Sequence, residues 1–161
     1  MSSRPGARSY TVAPTAARVA IDAVHRGALI AVRDELDLLC VEVETDDSWP
    51  TDVAWAVEAL EPRRRRGRTL LTRRPKPPEI VADLRPTDDD DFAIAVAVVP
   101  YTSYTIGITH HDGVAYSSYD HGYEPYFELT KAEHAFAANH IAAHGVDPGL
   151  LIPFQESRRD G

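Results

Sequence analysis

Residues 102–119, TSYTIGITHHDGVAYSSY, decide the fold, because two alternating runs flank Asp112-Gly113. Such a dipeptide between alternating apolar positions signals a β-hairpin, since a two-residue type I′ turn needs positive φ at both central residues. The reading pairs His111 with Val114, His110 with Ala115, and His121 with Tyr104. One face then carries Tyr104, Ile106, Ile108 and Tyr119, with His110 and His121. The two isoleucines make this the expected core side. Tyr116 falls on the opposite face with Thr105, Thr109, Ser118 and Asp120, small and polar as an exposed recognition surface is.

Outward from the hairpin, Leu129–His144 reads as a helix, with Thr130 and Glu133 as a capping box and Gly145 and Pro148 as the stop. Leu150–Phe154 adds a short strand. On the other side, Phe92–Val99 (FAIAVAVV) is apolar on both alternating faces, which predicts a central strand ended by Pro100. Ile80–Leu84 reads as an edge strand, and Leu38–Glu44 alternates as a half-buried one. Cys40 shares a face with Leu38 and Glu42 and reads as a structural thiol.

A helix is expected from Thr15 to Arg26, with Ala17, Ala20, Ile21 and Val24 on one face, Thr15 as cap and Gly27 as stop. Ala28–Val32 follows as a strand. Ser48 or Thr51 caps a second helix with Val53, Ala56, Val57 and Leu60 inward, Trp49 at its start and Trp55 off the stripe. It runs to Leu60 and ends at Pro62. Three helices and five to seven strands indicate an α+β fold with a mainly antiparallel sheet. Residues 1–13 and 157–161 read as loose tails around a single domain at 14–156, in which 62–78 is a long Arg- and Pro-rich loop.

The chain has 161 residues and a formal charge of −8. Eight basic residues and no acid lie in residues 63–76, so the remainder sums to −16. Arg63, Arg64, Arg65, Arg66 and Arg68 make a nucleic-acid contact conceivable through phosphate neutralisation. The acidic body disfavours it, and the block reads first as a loop docked on Asp88–Asp91 or on the acidic stretch 34–61. A lone cysteine excludes an intrachain disulfide and suits a reducing cytoplasm. No apolar run reaches membrane-spanning length, and the N-terminus lacks the apolar segment of a secretory signal.

No catalytic template is present: G-x-S-x-G, the P-loop, G-x-G-x-x-G and C-x-x-C are all missing. On the expected register His110 and His121 stand roughly 20 Å apart, too far for one metal. His140 and His144 have chelating spacing but lack the glutamate of the zincin motif. No cofactor or metal site is therefore expected. The tyrosines stand out, because six of the seven lie in residues 101–126. Tyrosine supplies contact area at low entropic cost. The leading expectation is a non-enzymatic, immunity-like protein-binding module that engages a basic partner through Tyr116, Asp120, Tyr123, Glu124 and Tyr126, with Trp55. The alternative is a small enzyme whose pocket combines His110, His121, His140, Tyr104 and Tyr119, with histidine as general acid or base.

Overall fold

In a computed structural model that describes residues 4–65 and 78–155, the 102–119 stretch folds into two adjacent antiparallel strands, β4 (Tyr104–Thr109) and β5 (Val114–Tyr119). They sit in a seven-stranded antiparallel sheet with β1 (Arg8–Val12), β2 (Leu36–Glu44), β3 (Glu79–Leu84), β6 (Glu124–Leu129) and β7 (Leu151–Pro153). The strand order is β3-β2-β4-β5-β6-β1-β7. Four helices complete the α+β fold: α1 (Arg18–Ala31), α2 (Ala54–Leu60), α3 (Asp89–Val98) and α4 (Lys131–Ala143). No helix among the described residues is long and apolar enough to cross a membrane.

All four helices cover the same face. Leu39, Val41 and Val43 of β2, Ile80, Ala82 and Leu84 of β3, and Tyr116 and Phe127 of β5 and β6 are buried. They form one cluster with Val24 and Leu29 of α1, Ala56 and Leu60 of α2, Phe92 and Ala95 of α3, and Ala137 and Ile141 of α4. The intervening strand residues, among them Cys40, Glu42, Tyr104, Ile106 and Ile108, are only half-buried. No helix lies over them.

Several expectations are corrected. Phe92–Val99 is not a central strand, because Asp88 caps a helix there: its carboxylate accepts from the Asp91 N–H at 2.9 Å. Asp89–Asp91 occupy the first turn, where negative charge complements the helix dipole. Phe92, Ala95 and Val98, spaced as helix positions, carry the buried stripe. Ala28–Val32 is not a strand, since α1 continues to Ala31. Gly27 does not stop it. A Cβ at Gly27 would stand 3.1 Å from the Ala137 carbonyl oxygen, so the glycine permits the close approach of α1 to α4. Neither Thr15 nor Ser48 nor Thr51 caps a helix; the N-cap positions of α1 and α2 are Ala17 and Val53, which make no side-chain cap.

Residues 8–12 are no loose tail. They pair with β6 on one side and β7 on the other. Arg4 ties the start of the chain down through Glu133 and through the Glu128 carbonyl, at 2.9 Å for the latter. The capping box at Thr130 and Glu133 forms as read. Residues 1–3, the 66–77 part of the Arg- and Pro-rich stretch, and the 157–161 tail lie outside the described residues.

The hairpin register also differs. Tyr104 opposes Tyr119, Thr105 opposes Ser118, and a bulge at Gly107/Ile108 precedes the turn. The turn is wider than two residues: Thr109 N–H donates to the Gly113 carbonyl at 2.8 Å, and Asp112 N–H to that of Thr109 at 3.0 Å. Asp112 alone carries a positive φ, 59°. Tyr104, Ile106, Ile108 and Tyr119 do share a face, as the alternation requires. It is the uncovered face, and Thr105, Thr109, Ser118 and Tyr116 lie under the helices.

Candidate functional site

The uncovered side of the sheet carries aromatic rings in its middle and carboxylates along one flank. Tyr104 and Tyr119 face each other across β4 and β5 with ring centroids 5.1 Å apart. Burial raises the Tyr104 phenol above its ordinary pKa, and the neighbouring Tyr119 adds to the shift. Register places Glu44 opposite Glu79, Glu42 opposite Val81, and Cys40 opposite Asp83, all on this same side. Cys40 is half-buried, and burial together with Asp83 pushes its thiol pKa up. A protonated thiol is a poor nucleophile, in keeping with a structural role.

Beside this pair, β5, β6 and the chain ends enclose a trough of about 390 Å³ lined by Thr11, Ser117, Pro125 and, above all, by rings. Tyr119, Tyr123, Tyr126 and Phe154 wall it, with Glu124 among the lining residues. Tyr126 is fixed from two sides. Its hydroxyl bonds Ser9 Oγ at 3.0 Å, and its ring meets Phe154 edge-on at 5.5 Å. Tyr123 is 61% exposed, and Tyr119 is 48% exposed. The Arg18 guanidinium lies over Tyr101 at 4.4 Å and reaches Tyr123 at 5.6 Å, so one cation already rests on part of this aromatic surface.

The connection from β5 to β6 shapes the trough's upper end. Asp120, His121 and Gly122 all have positive φ, 47°, 57° and 88°. Two successive non-glycine residues in that region are unfavourable unless the surroundings hold them. A buried imidazole and a half-buried guanidinium do so here. Arg18 donates to the His121 carbonyl at 2.6 Å and to that of Pro100. His25 Nε2 donates to the Gly122 carbonyl at 2.8 Å, while Nδ1 accepts from the Tyr116 hydroxyl. The acceptor-only carbonyl fixes the neutral Nε2–H tautomer. Burial pushes the His25 pKa down to about 4, reinforced by the charges of Arg18 and Arg26 and opposed by its bond to Gly122.

Of the expected contact residues, Tyr123, Glu124 and Tyr126 meet in the trough, and Asp120 is exposed in the adjoining β5–β6 turn. Tyr116 does not present a surface: it is 0% exposed and serves as the core partner of His25. Trp55 is half-exposed on α2, in the helical layer rather than on the open face. Tyr119 and Phe154 join this surface without a sequence signal: the isoleucines on the Tyr119 strand face suggest the core side, and Phe154 is 28 positions from Tyr126 in the sequence.

The histidines expected to share a pocket lie apart. His110 Nε2 donates to the Asp34 carbonyl at 3.1 Å beside the hairpin turn. His140 stacks on His144 with centroids 4.3 Å apart on α4, and burial lowers its pKa, aided by His144. His121 stands in a different place, 3.1 Å from Asp47 Oδ2. Of the arginine block, Arg63 pairs with Asp91 at 2.6 Å, Arg64 with Glu61 at 2.9 Å and Arg65 with Asp83 at 2.5 Å. Each of these guanidiniums is already engaged with a carboxylate. Arg66 and Arg68 lie outside the described residues.

No family model, curated protein or solved structure matches this chain.

Proposed function

We propose that this chain is a protein-binding module whose open sheet face takes a cationic side chain, arginine or lysine, of a basic partner. The convergence of four aromatic residues and one acidic residue on a single trough carries the reading. Ring faces attract guanidinium and ammonium groups, and a carboxylate beside them adds a charged hydrogen bond. The flanking Glu42, Glu44 and Glu79 and the chain's net charge of −8 favour a positively charged approach. Such a field accelerates encounter and selects the sign of the partner. Covering a cationic site in this manner is how an inhibitor or immunity-type protein acts. Tyr119, Tyr123, Tyr126 and Glu124 are its contact residues, with Asp120 in the adjoining turn and Phe154 as a wall.

The test separates ring recognition from bulk charge. A fluorescent nona-arginine peptide is titrated into the full chain, with its citrulline analogue as the neutral control. Tyr119→Leu and Tyr123→Leu keep the net charge and each weaken arginine-peptide binding by about two- to fivefold, the size of an exposed cation–π contact. The citrulline peptide does not bind. Affinity unchanged in both tyrosine variants means charge alone attracts the peptide, and overturns the reading.

A further inference from the structure

A second constellation lies on the other side of the Asp120–Gly122 turn, in a cleft of about 230 Å³ lined by Asp47, Ser48, Trp49, Tyr101 and His121. Glu44 ends β2, Asp47 follows in the next turn, and His121 comes from the β5–β6 connection. One donor atom from each lies within 4.8 Å of the other two. Among the described residues this is the one group of three or more histidine, cysteine or carboxylate side chains close enough to hold an ion.

We propose that Glu44, Asp47 and His121 form a binding site for a divalent transition-metal ion of the zinc type. The donor chemistry selects that class. An imidazole with two carboxylates suits zinc and its neighbours, whereas magnesium and calcium take oxygen donors alone. Metal–donor bonds of about 2.1 Å place the donors of one ion no more than about 4 Å apart. The spread of 4.8 Å closes to that by rotation of Glu44 and Asp47, which are half-buried and exposed.

His121 is prepared as a ligand in two further respects. Its Nδ1 stands 3.6 Å from Asp120 Oδ1 while Nε2 points at Asp47. That carboxylate, just beyond hydrogen-bond distance, stands on the side of the ring where the outer partner of a metal-bound histidine usually lies. The backbone beneath the ring is clamped by the Arg18 side chain at the His121 carbonyl. On the opposite wall, Trp49 Nε1 donates to the Glu44 carbonyl at 3.2 Å and holds the Glu44–Asp47 turn. Three protein ligands leave a coordination position facing the cleft, where Ser48, Trp49 and Tyr101 meet an incoming water or ligand. This site does not depend on the aromatic trough or on any partner there.

The experiment is calorimetric titration of the untagged, chelator-stripped full chain with zinc chloride, alongside magnesium chloride. One zinc ion binds per chain in the micromolar range, and magnesium does not bind. His121→Gln and Asp47→Asn each weaken zinc by at least about thirtyfold. Asp120→Asn, which removes only the outer carboxylate, weakens it by about tenfold. His144→Gln leaves the affinity unchanged, which separates this site from the stacked His140/His144 pair. Unaltered circular dichroism of His121→Gln shows that it folds. Absence of zinc binding, or binding that survives His121→Gln and disappears in His144→Gln, overturns the proposal.

Discussion

Two turns join consecutive antiparallel strands in the middle of this sheet, and they are built on opposite principles. The β4–β5 turn holds one residue at positive φ, Asp112, and its flanking His110 and His111 are exposed. Its hydrogen bonds are local, between Thr109, Asp112 and Gly113, with His110 adding bonds to the nearby Glu35 and Asp34 carbonyls. The β5–β6 turn holds three such residues, and helix α1 fixes it with a buried imidazole and a guanidinium. A connection that needed only to reverse the chain could be made as the first one is. The second keeps Asp120, His121 and Tyr123 in set positions between a trough and a cleft. Strain persists only where the structure over-determines it, and its concentration at one of two equivalent connections distinguishes a placed turn from a plain one.

The largest break in that contrast comes at Gly122. A Cβ there would collide with the Pro100 carbonyl oxygen and stand 3.1 Å from His25 Nε2, at a φ of 88°. Gly122→Ala therefore destabilises the fold by about 4 kcal/mol, the sum of left-handed strain and a backbone clash that cannot relax. Urea denaturation of the variant against the parent measures it. A loss below about 1 kcal/mol would show the turn to be as adaptable as its neighbour.

Next in size is the response to acid. His25 is buried neutral with its pKa depressed to about 4, against 6.5 for an exposed histidine. The unfolded chain takes up this proton near pH 6.5 and the native state resists it, so stability is full above pH 6.5. It is lost progressively as pH falls from there towards 4. The difference amounts to about 3 kcal/mol at the lower end. Denaturation midpoints across that window, together with the His25 imidazole resonances, report it. A His25 midpoint near 6.5 by NMR would disconnect the buried imidazole from the turn it supports.

Much of the architecture was legible because local patterns had no competitor. Leu39, Val41 and Val43 alternate with charged positions, and Thr130 with Glu133 announces α4. The sheet's orientation was misread, since alternation shows which residues share a face and not which face the helices choose. Ile106 and Ile108 suggested the core side, yet α1 and α4 pack over the side carrying Tyr116 and Phe127. Gly107 leaves room beside Tyr116, since a Cβ there would stand 3.2 Å from the Tyr116 Cβ. For α3, the aspartate run was the available signal and the apolar run obscured it. Tyr123, Glu124 and Tyr126 group together in the sequence because they are near neighbours in it, and they line one trough. Glu44 and Asp47 show no link to His121 in the sequence, because 74 positions separate Asp47 from His121 and only the strand order β2-β4-β5 brings them together.

The smallest effect belongs to the plain turn, and it limits the comparison from below. Asp112 sits at a φ of 59°, a conformation that aspartate tolerates and glycine adopts freely. Asp112→Gly exchanges a little relieved strain for a more flexible unfolded chain, so stability changes by less than about 1 kcal/mol. Arginine-peptide and zinc affinities stay at parental values, because His110 and His111 contribute to neither site. A loss above about 2 kcal/mol, or a shift in either affinity, would mean that the hairpin turn is also held for a purpose. The number of strained residues would then no longer separate the two connections.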